Sequence, residues 1–161
     1  MRRQIILPMF VLALGLVGCG GHVPNPVTSS SGVNLGGQVV AVDIWASDQC
    51  VQRGDTVALR ATVTNKTSKT QIFELKDRPV LDLAVKAGGV TSQWSDGKTL
   101  TSDLTRLELL PGQSKTIGMD WRASYSGTVG ARAIFYFDAE GPPLAPGVLI
   151  SVGSCPGVLG P

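Results

Sequence analysis

The chain has 161 residues, 14 Lys and Arg against 12 Asp and Glu, and a formal charge of +2. Only 16% of its residues are charged against 43% hydrophobic, which excludes a disordered, charge-rich chain. No cluster of Lys and Arg is present to read a phosphate backbone, which excludes nucleic acid as the expected partner.

In chain order, Arg2 and Arg3 supply a positive start and Ile5 to Val17 an apolar run interrupted by Pro8 and Gly15. The run falls short of the roughly 20 apolar residues a membrane-spanning helix needs. Residues 1–18 therefore read as an export signal. Removing them takes away Arg2 and Arg3 and no acid, so the +2 falls to zero.

The signal ends in Leu16, Val17, Gly18 and Cys19, and this order resembles the lipobox of bacterial lipoproteins. The resemblance implies diacylglyceryl transfer to the Cys19 thiol and cleavage just before it. It makes the chain an expected lipoprotein of the cell membrane, facing the extracytoplasmic side. Two or three acyl chains, at about 0.8 kcal/mol per buried CH₂, hold a protein at a bilayer where one chain does not.

Residues 19–36 follow as lipidated cysteine and tether. Their Gly, Ser, Pro and Asn, with scattered Val and Leu, show no apolar period, and such composition predicts a flexible leash. About 16 such residues would average about 20–25 Å end to end. The only histidine, His22, falls there and reads as solvated.

Residues 37–161 read as one domain of common size. Its cysteines are Cys50 and Cys155, two thiols in an oxidising compartment, which predicts one disulfide between them. Period-two alternation predicts strands over residues 38–46, 56–65, 71–75, 80–86, 90–94, 106–110, 115–121, 129–138 and 146–152. Turn residues separate them: Asn65 to Thr70, Gly88–Gly89, Ser95–Asp96–Gly97 and Pro111–Gly112. Residues 102–107 are the one stretch suited to a turn of helix. Eight or nine short strands at this spacing predict an all-β fold, a single antiparallel β-sandwich of the immunoglobulin-like kind.

The stretch from Gln93 to Phe137 resembles the intracellular proteinase inhibitor (BsuPI-like) domain. The residues that carry the resemblance are Trp94, Ser95, Asp96 and Gly97, then Pro111, Gly112 and Gln113, and then Trp121. The upstream strands from Asp55 to Leu75, with Asn65 at a strand end, are compatible with it. The resemblance implies an immunoglobulin-like sandwich and, as one reading of function, inhibition of an exported protease.

Chemistry finds little footing in the domain. It has no histidine beyond His22, so neither a Ser–His–Asp nor a Cys–His arrangement is available. No Cys/His spacing suits zinc, and Asp96 with Asp103 lacks the dense oxygen spacing of calcium loops. Carboxylate pairs such as Asp77 with Asp82, or Asp138 with Glu140, read as solvated charges. Asn65–Lys66–Thr67 matches a glycosylation sequon and reads as an ordinary turn. No enzyme, cofactor or metal is expected.

Binding surfaces favour aromatics. Trp45, Trp94 and Trp121 read as core or core-flanking, whereas Tyr125 and Tyr136 read as exposed. Tyr125, Tyr136, Trp94 and Asp96 are the candidate partner-binding residues. The expectation is a lipid-anchored module that binds another envelope protein or serves a membrane complex.

Overall fold

The computed structural model describes residues 24–35 and 38–153. Period-two alternation becomes strands nearly residue for residue. β2 (Gln38–Ala46) and β4 (Thr56–Asn65) bury Val40, Val42, Ile44 and Ala46 against Val57, Leu59, Ala61 and Val63. β9 (Ser114–Arg122) adds Ile117 and Trp121 to the same face. Antiparallel pairing gives a four-stranded sheet in the order β1-β2-β4-β9, with β1 spanning Val27–Leu35.

The second sheet runs β3-β11-β10-β6-β7. Its strands are β3 (Cys50–Val51), β6 (Leu81–Ala87), β7 (Val90–Gln93), β10 (Gly127–Phe135) and β11 (Gly147–Val152). All its pairs are antiparallel except β3 with β11, which run parallel. β5 (Gln71–Glu74) and β8 (Arg106–Leu109) pair as a separate ribbon, and α1 (Ser102–Thr105) precedes β8. The inner faces of the two sheets close a single core in which Phe135, Ile44, Leu59, Leu83, Leu109 and Ile150 are the largest fully buried side chains. Phe73 of the ribbon meets Phe135 edge to face, with centroids 4.9 Å apart and planes at 79°.

The fold is the all-β sandwich expected, with α1 inside the stretch marked for a turn of helix. Two strands were not anticipated, so the described residues hold eleven rather than eight or nine. β3 is only two residues long and has no readable period. β1 is the larger correction, because it lies in the stretch read as a leash. Its stability comes from backbone pairing with β2 along its whole length, from Val27↔Ala46 to Leu35↔Gln38. At the edge of a sheet, half-buried Ser29 and Ser31 suffice between Val27 and Val33, which pack against the core.

β6 departs from simple alternation. Asp82 and Ala84 are buried along with Leu81, Leu83 and Val85, because this strand is covered on both faces. Burying a carboxylate requires hydrogen-bond partners. Asp82 accepts from the Ser95 hydroxyl at 2.6 Å and the Ser95 amide at 3.2 Å. The two carboxylates weighed together as Asp77 and Asp82 thus have different fates: Asp77 is exposed and pairs with Arg78 at 2.7 Å.

Candidate functional site

A groove of about 330 Å³ opens along the free edge of β9, lined by Val80, Leu81, Trp94, Leu104, Leu107 and Ile117. Asp103 and Lys115 stand at its rim. β9 is the last strand of its sheet, so beyond its pairing with β4 its other edge is open to a further strand.

Each wall of the groove has a traceable origin. Trp94 follows β7, its amide donating to the Leu83 carbonyl at 2.8 Å. The turn after it is fixed at both ends. The Gln93 amide donates to the Asp96 carboxylate at 2.7 Å, Gly97 supplies a φ of +73°, and Ser95 ties the turn to buried Asp82. Lys98 covers the Trp94 ring with its Nζ 4.2 Å from the centroid, leaving the indole half-buried.

The opposite wall is α1, which is held through its backbone. The Leu75 amide donates to Thr105 and the Val80 amide to Leu104, both at 2.8 Å. The Thr101 hydroxyl donates to Asp103, which together with the nearby Lys115 holds that carboxyl below the ordinary aspartate value.

Asp96 is therefore a turn residue, and Trp94 joins the groove. Tyr125 is exposed, with its ring lying over Gly88 in the β6–β7 turn. A Cβ at Gly88 would stand 2.6 Å from that ring, and φ there is +56°. Tyr136 is half-buried rather than exposed. It packs against the core with the Arg78 guanidinium 5.1 Å over its ring. Tyr125 and Tyr136 therefore do not share the groove with Trp94, which Leu104 and Leu107 complete; sequence patterning had not singled out either leucine. Trp121 is buried, while Trp45 lies on the outer face of its sheet under Arg60, at 4.9 Å.

Asn65 is fully buried. Its Nδ2 donates to the carbonyls of Lys69 and Leu109 at 2.8 and 2.9 Å, and its Oδ1 accepts from the Thr67 amide at 2.9 Å. Its backbone binds Gly112 and Gln113, clamping two turns together. The sequon amide is thus committed to the fold. Cys50 starts β3 opposite Ser151, with its amide donating to Asp48 at 3.0 Å. Cys19 and Cys155 lie outside the described residues. Among the described residues, no group of three or more His, Cys, Asp or Glu gathers as a metal site.

The resemblance motifs Trp94–Gly97 and Pro111–Gln113 are thus the turns that build one groove wall and clamp one end of the sandwich. The family model described as "Intracellular proteinase inhibitor" matches residues 45–137. The chain belongs to this family. No curated protein matches it.

Several solved structures superpose in part at low identity. A β-glucosidase from Erythrobacter marinus superposes with a TM-score of 0.43 at 11% identity, over 78% of this chain and 15% of its own. The CARDB domain of a Pyrococcus furiosus protein, solved with di-metal ions, gives 0.40 at 14%, over 80% and 93%. The sporulation control protein Spo0M of Bacillus subtilis gives 0.45 at 12%, over 71% and 49%. The chain thus spans about 15% of the glucosidase and about half of Spo0M.

Proposed function

We propose that the chain is a lipid-anchored cell-envelope protein whose β-sandwich binds another protein, as a binding module or an accessory subunit of a membrane complex. The observation that carries the binding role is the groove beside the open edge of β9, with Trp94, Leu104 and Leu107 at its walls. An extended segment of a partner adding to β9 would gain backbone hydrogen bonds, and an apolar side chain would drop into the groove. Leu16 to Cys19 support the anchor.

A disulfide between Cys50 and Cys155 belongs to the same reading. Cys50 sits beside Ser151, four residues before Cys155 in sequence, and this nearness supports the pairing. In the chain-entropy model, closing a loop of this length stabilises by about 4–5 kcal/mol.

The second reading is inhibition of an exported protease, favoured by the family match over residues 45–137. It differs from the first only in what the groove meets. A photo-crosslinking amino acid at position 104, compared with one at Asp43 on the outer sheet face, tests both readings in intact cells. The expected result is a discrete protein adduct from position 104 and none from position 43. A protease in that adduct selects the inhibitor reading. Absence of any adduct from position 104 contradicts both.

A further inference from the structure

We infer that the end of the sandwich bearing Arg53, Val90, Arg122 and Tyr125 rests on the bilayer surface, with its guanidinium groups against anionic lipid headgroups. The inference rests on the lipid anchor at Cys19 proposed above.

The place where the chain joins the sheet sets the orientation. β1 is paired from Val27 onward, and the Gln49 amide extends the tie back to the Asn25 carbonyl at 3.0 Å. Only four residues lie between Cys19 and Pro24, and the five steps from one to the other reach about 17 Å when fully extended. The nine residues of β1 or β2, at about 3.3 Å each, make the sandwich about 30 Å long. A link of about 17 Å cannot let the opposite end turn down to the membrane.

Three other connections share the end where residues 24–27 enter. β2 reaches it at Ala46, and the following loop carries Arg53–Gly54 before β4 begins at Thr56, opposite Arg122. The Gly54 amide donates to Ala123 at 2.7 Å and the Ala123 amide to Asp55 at 2.8 Å, joining that loop to the β9–β10 turn. Tyr125 of this turn covers Gly88 of the β6–β7 turn, and Val90 follows.

The chemistry of this end suits a headgroup layer. Val90 is 68% and Tyr125 47% exposed, and Arg53 and Arg122 are exposed beside them. The Arg122 Nε donates to the Gly54 carbonyl at 3.2 Å, which aligns its guanidinium with the loop carrying Arg53. Of the acids here, Asp48 is buried and accepts from the Cys50 amide, whereas Asp55, which accepts from the Gln52 amide, and Asp120 are exposed. Exposed Asp77, Asp138 and Glu140 lie toward the opposite end, where β10 finishes against the start of β6. Arginine with exposed tyrosine and an aliphatic side chain is the composition of a membrane-interface surface. An anionic leaflet attracts basic groups only within about a Debye length, some 8–10 Å, so only the near end feels it.

The test uses the full chain purified from membranes and reconstituted into phosphatidylethanolamine–phosphatidylglycerol vesicles that carry a paramagnetic quencher on a lipid headgroup. Spin labels are placed by V90C and S124C at the near end, and by K69C and E140C at the opposite end. Labels at 90 and 124 should relax several-fold faster than those at 69 and 140, and the difference should shrink when phosphatidylglycerol is omitted. Equal relaxation at all four positions, or faster relaxation at 69 and 140, overturns the orientation. Mass spectrometry of the same sample separates the two failures. An unacylated Cys19 overturns the anchor and the inference with it, whereas equal relaxation on acylated protein overturns the orientation alone.

Discussion

Replacing Asn65 with alanine should lower the stability of the folded domain by about 3 kcal/mol, a large share of the 5–15 kcal/mol typical of a domain. The side chain is fully buried and makes three hydrogen bonds. Its removal leaves the Lys69 and Leu109 carbonyls and the Thr67 amide short of a partner, and a buried group so left costs about 1–3 kcal/mol. Relaxation of the 66–70 turn, which is exposed except at Thr67, toward water recovers part of that, and the Leu109 carbonyl, deeper in the fold, cannot follow. Denaturant unfolding reads the effect as a lower midpoint at unchanged slope. A loss below about 1 kcal/mol would mean that the two turns are held by their backbone bonds alone. Asn65→Asp should be nearly as damaging, since the carboxylate keeps the acceptor for Thr67 and loses both donors.

Phe135→Ala should cost about 4 kcal/mol, within the range for truncating a buried aromatic. Phe135 has no exposed surface and lies where β10, the β5–β8 ribbon and β6 converge. Its edge-to-face contact with Phe73 links the ribbon to the main core, alongside buried Leu109. Combining Phe135→Ala with Phe73→Ala should therefore show a coupling of about 1 kcal/mol, the usual worth of such a pair beyond its buried area. Simple additivity would mean that the ribbon is held by α1 and its backbone bonds to Leu75 and Val80, without the ring pair.

The sandwich was legible wherever one face of a strand is buried and the other wet. Val57, Leu59, Ala61 and Val63 announce β4 because their alternation has a single cause, two environments on two sides. β1 was illegible for the opposite reason: an edge strand held by backbone pairing needs little apolar content, and serine looks like linker. The Gly36–Gly37 pair between two nine-residue strands is the signal that would have marked a hairpin there.

Asp82 misled in another way. A carboxylate at an alternating position reads as solvent-facing, and only the return of the chain at Ser95 supplies the donors that bury it. The groove follows the same logic. Trp94 was singled out as an aromatic, but Leu104 and Leu107 become its neighbours only when α1 folds back to cap Leu75 and Val80. Tyr136 was misplaced because Arg78, which covers it, is distant in sequence.

The family model is described as an intracellular proteinase inhibitor, whereas the anchoring proposed from Arg2, Arg3, the apolar run and Cys19 would put this member outside the cytoplasm. Growth on labelled palmitate is the most direct measurement of that claim. The account predicts label on the wild-type chain and none on Cys19→Ser. Wild-type protein without label, or label that survives Cys19→Ser, would contradict it.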